Sequence, residues 1–205
     1  MSKEIYGKME NNKKIVWKPG NMLYPVPAVM VSVADFFGNN NIITVAWAGT
    51  LCSDPPMVSI SIRPKRHSYS MIKETGEFVI NLVTEELAYG ADWCGVKSGR
   101  DFDKFKEMGY TAGKTVKLKA APTIEESPVN IECKVNKVME LGSHHMFMAD
   151  VVCVQVSGKY MDKAGRFHLN DGGLVAYSHG DYRKLGKKIG TFGYSVAKKR
   201  KRSGK

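Results

Sequence analysis

The stretch from residue 41 to residue 82 constrains this chain most, because three strand-like runs surround one basic loop. The runs are 42–47, 57–62 and 77–82, and each is rich in apolar and β-branched residues. Such runs are typical of buried strands. The loop before the last run, 63–68, reads RPKRHS. The residues that follow it predict a short helix at 68–75, with Ser68 or Ser70 near its N-cap.

The loop 63–68 also predicts an anion site. It places three permanent cations, a histidine and a hydroxyl group directly before the expected helix. A loop of this kind supplies charged donors, and the helix start supplies free N–H groups and a favourable dipole. The neighbouring strand 42–47 offers backbone polar groups to a flat ring. The combination predicts a phosphorylated, planar cofactor, and FMN fits both requirements.

The rest of the chain predicts a mainly β fold with short helices. Further strands are expected at 27–35, 129–135 and 146–156, and further helices at 85–94 and 101–108. Strands outnumber helices and do not alternate with them regularly, which argues against a parallel α/β sheet. We therefore expect an antiparallel β-barrel with helices over its rim.

The net charge of +11 comes from the C-terminal end of the chain. Residues 183–205 contain ten Lys and Arg and no acid, so the rest of the chain carries a net charge of only +1. We expect a single domain over 1–190 and a flexible basic tail over 191–205. Basic runs also occur in nucleic-acid-binding proteins. A nucleic-acid-binding barrel therefore stays a third hypothesis, with a flavin enzyme and a flavin carrier ahead of it.

Compartment and metal content follow from what the sequence lacks. The N-terminal residues have no apolar run typical of a secretory signal, and no stretch has the length of a membrane span. A cytoplasmic protein without membrane contact is therefore expected. The four cysteines form no C-x-x-C pair, and His144 and His145 would face opposite sides of a strand. We therefore expect no metal site.

Several segments resemble one known family in their order and spacing. They are 41–49 (NIITVAWAG), the Pro55–Pro56 turn, 59–63 (SISIR), 67–69 (HSY), 78–82 (FVINL), 98–101 (SGRD), 103–105 (DKF) and 176–186 (AYSHGDYRKLG). The resemblance covers roughly residues 15–190. With these segments the chain resembles the flavin reductase-like, FMN-binding split-barrel family, and within that family the flavoredoxins.

The resemblance implies an antiparallel split β-barrel of the Greek-key type that forms a homodimer. FMN would be held non-covalently near the subunit interface. The chain would be an enzyme that passes electrons from NADH, NADPH or a protein donor through FMN to an acceptor. Because a flavin carries the redox chemistry itself, no side chain is expected to act as an acid, a base or a nucleophile. The alternative is an electron carrier or an FMN store without NAD(P)H activity.

The loop, the strand and the resemblance together give a set of candidate cofactor-binding residues. They are Thr44, Val45, Ala46, Trp47, Ala48, Cys52, Ser53, Arg63, His67, Ser68, Asn81, Lys104 and His179. Residues 44–48 would hold the ring, although an ordinary core strand would have the same composition. Arg63, His67 and Ser68 would hold the phosphate, although a solvated basic turn is the alternative. The two cations between them, at 65–66, are expected to face solvent in part.

Alternatives stay open for three of these residues. Cys52 lies at the turn beside the expected cofactor strand and could contact the cofactor or be a small packed residue. Asn81 could face the flavin or satisfy the neighbouring backbone, because a buried amide needs partners. Lys104 could reach the phosphate or the pyridine nucleotide, or it could lie on the surface of a helix.

Two further expectations rest on the resemblance. His144 would lie near the nicotinamide, but the residue before it is Ser143 where NADH-using members of the family often have Asp. This departure leaves the use of a pyridine nucleotide open. His179 and Tyr182 would cover the site from the C-terminal segment, with simple packing as the alternative role.

Overall fold

The computed structural model describes residues 14–197 of the 205. The strands within this range are β1 (Val26–Pro27), β2 (Val29–Ala34), β3 (Asn40–Val45), β4 (Ala48–Ser53), β5 (Pro56–Ile62), β6 (Glu77–Leu82), β7 (Ala112–Gly113), β8 (Thr123–Ile124), β9 (Val129–Leu141), β10 (His144–Val156), β11 (Val175–Ser178) and β12 (Asp181–Lys184). The α-helices are α1 (His67–Thr75), α2 (Ala88–Val96) and α3 (Lys104–Met108). Short 3₁₀ turns lie at Gly158–Tyr160, Leu169–Gly172 and Tyr194–Val196.

Seven of these strands form one antiparallel sheet in the order β3-β2-β6-β9-β10-β5-β4. The sheet curls until β3, at one edge, faces β5 near the other, and residues of both strands line a cleft between them. Two small sheets, β1-β11-β12 and β7-β8, complete the fold. The prediction of a mainly β, antiparallel split barrel with short helices is confirmed.

The main core lies inside the curled sheet, where alternate residues of the strands meet. Side chains that point outward from β2 and β3 are buried as well, because α2 and α3 pack on that face. Met30 and Ile42 on the strands pack there with Ala91 of α2 and Phe105 of α3. Strands β2 and β3 are thus covered on both faces, which fixes the position of β3 between the barrel and the helices.

Helix α1 packs on the inner core through Met71 and Ile72, both almost fully buried. It ends at Gly76, which adopts the left-handed conformation (φ 68°) that favours glycine. Ser68 lies near the N-cap, as predicted, but two residues after it, and its side chain does not cap the helix. The residue at the N-cap position is Arg66, and no side chain caps the helix start.

Other element boundaries also differ from the sequence-based expectation. Strand β4 was not predicted, since its residues AGTLCS lack an apolar alternation. It forms because it pairs with β5, with Ser53 opposite Pro56 at the turn. Helix α2 begins three residues later than predicted, and α3 begins at Lys104 because the Asp103 side chain caps it by accepting from the Lys106 N–H.

The ends of the chain are only partly covered. All of residues 191–197 are exposed, and the remainder of the predicted tail, 198–205, lies outside the described residues. The division into a domain over 1–190 and a tail therefore stays a prediction. Between residues 14 and 197, no helix combines the length and the apolar character needed to cross a membrane.

Candidate cofactor site

Two adjoining clefts lie along β3. The first, called the basic pocket below, is lined by Asn41, Ile43, Lys65, Arg66, His67, Ser68, Lys97, Ser98, Gly99, Arg100 and Lys104. The second, called the strand cleft below, is lined by Ile43, Thr44, Val45, Ala46, Trp47, Ser61, Ile62, Arg63, Arg66 and His144. The two share Ile43 and Arg66, so they form one continuous groove. Within residues 14–197, no acidic side chain lines either cleft.

The basic pocket opens at the start of α1. The first N–H groups of a helix have no partner within the helix, and here no side chain caps them. Both His67 and Ser68, the first two helical residues, line the pocket. The helix dipole adds partial positive charge at the same point. The pocket therefore combines backbone donors, side-chain donors and positive potential, which is the arrangement that binds an anion.

Arg100 joins the two loops that frame the basic pocket. Its Nη1 donates to the backbone oxygen of Lys65 at 3.2 Å, and its own N–H donates to the Ser98 hydroxyl at 3.2 Å. The guanidinium group has further donors that these contacts do not use. Burial lowers the pKa of the nearby His67 below its usual value, and the charges of Arg100 and Lys104 lower it further.

Lys104 is buried in the wall of the pocket and does not lie on the helix surface, which was one of the two roles considered for it. Its Nζ donates to the backbone oxygens of Ile42 and Cys94, each at 2.7 Å. Burial lowers the pKa of Lys104 to about 8, and the charge of Arg66 contributes to this lowering. Since an ammonium group has three donors, one remains beyond these two bonds.

Asn41 carries an unpaired atom at the centre of the pocket. Its side chain is 3% exposed, and its Nδ2 donates to the Ser68 hydroxyl at 2.8 Å, while its Oδ1 has no partner. The oxygen and nitrogen of an amide can exchange places by rotation. After that rotation the Ser68 hydroxyl would donate to Oδ1, and Nδ2 would be free to donate to an anion.

Gly99 leaves the space that the Asn41 amide occupies in the wall of the pocket. A Cβ atom at position 99 would lie 2.2 Å from the Asn41 Oδ1, well inside van der Waals distance. The unpaired amide, the glycine and the set of cations are three separate features of one pocket. All three fit a phosphate group.

The strand cleft is bounded by backbone as much as by side chains. The N–H of Ser61 donates to the oxygen of Trp47 at 2.8 Å, which fastens the end of β3 to β5. The Thr44 hydroxyl donates to the backbone oxygen of Ala91 in α2, so Thr44 turns its side chain away from the cleft. Strand β3 is an edge strand, and its outer backbone groups are available to a flat ring.

His144 and Arg63 lie together at the strand cleft. Burial lowers the pKa of His144, and the nearby charge of Arg63 lowers it further. Both effects favour the neutral imidazole, whose Nδ1 lies 2.9 Å from the Ser143 hydroxyl. His144 thus lines the strand cleft, and its expected place near a nicotinamide stays a prediction.

The strand cleft continues into an aromatic wall that includes His179. The Tyr24 ring lies 6.2 Å from that of Trp47, 5.9 Å from that of His179 and 6.3 Å from that of Tyr177. Tyr182 lies behind them, 5.6 Å from Tyr177. His179 is linked to the strand-cleft residue Trp47 through Tyr24, and Tyr182 packs behind Tyr177. That these residues cover a bound cofactor stays a prediction.

The N-terminal segment is the part of this region that the sequence analysis missed. Residues 21–23 and Val26 line an apolar extension of the strand cleft together with Trp47 and His144. This segment has no periodic pattern, so the sequence contained no signal for it. The loop 97–100 was missed as well, although SGR belongs to the motifs that carry the family resemblance.

Asn81 does not belong to the candidate site. It is fully buried in β6, where its Nδ2 donates to the oxygen of Met30 at 3.0 Å and to the Ser32 hydroxyl at 2.9 Å. Its Oδ1 accepts from the N–H of Ile124 at 3.0 Å and from Asn130 at 2.7 Å. Of the two roles left open for it, the structure supports the internal one, and the assignment as a cofactor contact is wrong.

Three residues of β4 are also not brought to the groove of this chain. Cys52 lies opposite Met57 and Ser53 lies opposite Pro56, at the far end of the β4–β5 hairpin from Ser61. Ala48 pairs with Ile60 and packs on the inner core. The sequence placed them beside the cofactor because they follow Trp47, but β4 runs away from the groove.

The residues of the basic loop 63–68 do not all line the clefts expected for them. Arg63 lines the strand cleft and not the basic pocket, so the structure does not bring it to the expected phosphate site. Lys65 and Arg66, which were expected to face solvent in part, are exposed and also line the basic pocket. The chain turns at 63–66, where the Arg66 N–H donates to the Arg63 oxygen at 3.0 Å. This turn places Arg63 and Lys65 at different clefts.

A comparison with known families gives the site its context. The model of the flavin reductase like domain matches residues 22–186. The chain belongs to this family. Because the match includes β3, the basic loop, the loop 97–100 and His179, nearly the whole groove lies within the family domain.

Individual relatives of this flavin reductase-like chain are similar over most of its length. The structure of flavoredoxin from Desulfovibrio vulgaris (Miyazaki F) superimposes with a TM-score of 0.83 and 27% identity, covering 90% of this chain and all of that one. An uncharacterized protein of Pyrococcus abyssi is 34% identical over 64% of this chain and 74% of its own length. The ferric-chelate reductase (NAD(P)H) of Archaeoglobus fulgidus is 25% identical over 67% of this chain and 73% of its own.

Proposed function

We propose that this chain is an FMN-binding oxidoreductase that passes electrons from NAD(P)H or a protein donor to an acceptor. The observation that carries the proposal is the continuity of the strand cleft with the basic pocket along β3. One half offers backbone groups and an aromatic residue to a ring, and the other offers cations and helix-start N–H groups to a phosphate. Membership of the flavin reductase-like family supports the same cofactor.

The residues of the basic pocket would anchor the phosphate. Arg66 and Arg100 supply planar forks of donors, and the Ser68 hydroxyl, the first N–H groups of α1 and the rotated Asn41 amide add neutral donors. Lys104 supplies a positive charge whose position is fixed by its hydrogen bonds to two backbone oxygens. Together these groups would hold the phosphate, and with it the ligand, at one position along β3.

The residues of the strand cleft would orient the ring and set its electrostatic surroundings. The flavin supplies the redox chemistry when it is bound, and the protein tunes it through nearby charges and hydrogen bonds. Arg63 and Arg66 make this cleft positive, which favours negative charge on whatever occupies it. His144, whose pKa is lowered, presents a hydrogen-bonding imidazole, and Trp47 adds an aromatic surface to the cleft.

The identity of the electron donor distinguishes the proposed enzyme from the alternative, an electron carrier or FMN store. A relative of this chain carries NAD(P)H in its name, which supports a pyridine nucleotide as donor. Ser143, in place of the Asp expected before His144, favours instead a carrier or FMN store without NAD(P)H activity. Oxidation of NADH or NADPH by the pure protein separates these two functions.

The test begins with the visible spectrum of the desalted protein. We expect flavin bands close to one FMN per chain after purification or after incubation with FMN. Anaerobic addition of NADH or NADPH to the same sample should bleach the flavin band if the chain is an enzyme. An unchanged band that is bleached by dithionite would identify the carrier. A protein that takes up no FMN would refute the flavin-binding proposal.

We also propose that the protein is a cytoplasmic homodimer. The N-terminal segment beside the groove exposes large apolar residues, with Ile15 87% exposed, Trp17 77% and Leu23 86%. Exposed apolar patches of this kind are typical of surfaces that a partner covers. Light scattering at micromolar concentration should give twice the 22.8 kDa of one chain. A monomeric mass would contradict the proposal.

A further inference from the structure

Four oxidisable rings lie in a row that leads from the strand cleft toward the surface. They are Trp47, Tyr24, Tyr177 and Tyr182, called the aromatic row below. The centroids of successive rings are 6.2, 6.3 and 5.6 Å apart. Centroid separations of about 4.5–7 Å are those of aromatic rings in contact. Each ring of the row therefore contacts the next.

The small sheet β1-β11-β12 holds the outer rings of the row in place. Tyr177 of β11 lies directly opposite Tyr182 of β12 and is also paired with Val26 of β1. Tyr24 lies two residues before Val26, with its ring edge-on to that of Tyr177. Backbone pairing therefore sets the separations between these rings.

The two ends of the row differ in their surroundings. At the inner end, Trp47 lines the strand cleft. At the outer end, burial and the charge of the exposed Asp92 carboxylate raise the pKa of Tyr182 to about 12, so its phenol is protonated at pH 7. A phenol releases its proton when it loses an electron. The Asp92 carboxylate is an acceptor for this proton.

The composition of the row suits the movement of single electrons. Indole and phenol groups can each lose one electron, and a radical on one ring can be refilled by an electron from the ring beside it. Phenylalanine and aliphatic side chains are much harder to oxidise and would interrupt such a row. The aromatic row contains neither, so it can carry an oxidising equivalent from the cleft to the surface.

We propose that the aromatic row carries single electrons from the surface to the strand cleft, where they remove oxygen-derived radicals. The inference rests on the proposed function, because a reduced flavin exposed to oxygen is the source of these radicals. In the net step, the radical in the cleft gains one electron and becomes its anion. Tyr182 loses that electron and passes its phenol proton to Asp92, and the other three rings end unchanged. A thiol at the surface then donates a hydrogen atom to the Tyr182 oxygen, and Asp92 releases its proton to water.

Pulse radiolysis of the full-length apoprotein tests the row without a flavin. The sequence has three tryptophans, so in a Trp17→Phe/Trp93→Phe background Trp47 is the single indole, which azide radicals oxidise in preference to phenols. We expect the Trp47 radical to decay as a phenoxyl radical forms, at a rate independent of protein concentration. Tyr24→Phe should slow this decay about tenfold or more. The matched control is Tyr160→Phe, because Tyr160 is also half-buried and is not part of the row.

The outer end is tested by the lifetime of the phenoxyl radical in the presence of glutathione. In the protein with an unaltered row the thiol should shorten this lifetime, since the radical reaches Tyr182. In Tyr182→Phe the radical should stop at Tyr177 and persist about tenfold longer. Equal lifetimes in the two proteins would overturn the assignment of Tyr182 as the outer end.

The remaining outcomes separate the inference from the proposed function. A Trp47 radical that decays equally fast in Tyr24→Phe would overturn the inference, as would a decay that speeds up with protein concentration. If FMN binds but no electron moves along the row, the proposed function stands and only the inference fails. If FMN does not bind, the proposed function fails and the row loses its source of radicals, so the inference fails with it.

Discussion

At the scale of single residues, the close approach of Gly99 to Asn41 gives a direct test of the phosphate assignment. Gly99→Ala would place a Cβ atom 2.2 Å from the Asn41 Oδ1 and displace the amide. We expect FMN affinity to fall by about tenfold, as for a typical overpacked site, while riboflavin affinity changes little. Gly49→Ala is the control, since no atom lies within 4 Å of a Cβ built at that position. Equal losses for both flavins would contradict the assignment.

The charge state of Lys104 should make FMN binding depend on pH. Burial lowers its pKa to about 8, so its ammonium group is charged at pH 7 and neutral at pH 9.5. Since the charged form attracts the phosphate, FMN affinity should decrease as the pH rises through about 8, while riboflavin affinity should not follow. Titrations over this range measure the effect. Lys104→Gln should bind FMN more weakly at pH 7 and show a flatter profile, and a profile as steep as that of the unaltered protein would refute the role.

The residues that the structure brings to the basic pocket as predicted are those whose pattern is local in the sequence. His67 and Ser68 could be assigned to the anion site because a basic loop before a helix is visible in the sequence. Asn81 was misplaced because its partners Ile124 and Asn130 are more than 40 positions away along the chain. Tyr24 was missed for the same reason, since only the folded chain brings it beside Trp47.

At the scale of elements, the strands with strong apolar patterns were predictable and the edge strand β4 was not. Strand β6 occupies the predicted residues 77–82 because five of its six residues are buried. Strand β4 is largely exposed on its outer edge, so its composition carries little information about strand formation. Its existence depends on pairing with β5, which is a tertiary interaction.

A conservative substitution of Glu132 in β9 is expected to lower the stability of the fold strongly. Its carboxylate accepts from the N–H groups of Val116 and Lys117, at 2.8 and 2.7 Å, and is fully buried. Burial alone would raise its pKa, but these hydrogen bonds outweigh burial and the pKa is lowered. In Glu132→Gln, the side-chain NH₂ group would face one of these N–H groups and could not accept its hydrogen bond. The free energy of unfolding should therefore fall by about 3 kcal/mol at pH 7.

Urea unfolding measures this loss, and an exposed residue of the same type provides the control. Glu107→Gln, on the surface of α3, should change the free energy of unfolding by no more than about 0.5 kcal/mol. If the two variants unfold at the same urea concentration, residues 116 and 117 are not held by the Glu132 carboxylate in the way described.

At the scale of the whole molecule, the predicted boundary at residue 190 can be tested by truncation. Residues 191–197 are exposed and Phe192 makes no buried contact, so removing 191–205 should cost little stability. Flavin affinity should stay within about twofold, because the residues that line the strand cleft and the basic pocket lie before this point. Thermal melting and flavin titration measure both quantities.

The same truncation addresses the nucleic-acid hypothesis. Removing the basic residues of 191–205 should abolish any binding to DNA or RNA, and any such binding by the complete chain should weaken steeply with salt. Loss of flavin binding on truncation would show that the tail belongs to the domain. Retention of nucleic-acid binding would place that activity in the barrel.

The buried amide of Asn81 has a consequence for the motions of the sheet. Its Oδ1 accepts the N–H of Ile124, which belongs to a strand of only two residues that would fray by itself. The Ile124 N–H is thereby tied to β6, an interior strand of the seven-stranded sheet that lies next to the central strand β9. In hydrogen–deuterium exchange, this amide should be protected as strongly as the central strands and open only with them. Exchange as fast as that of the exposed Ala112, in the paired strand β7, would show that the two units open independently.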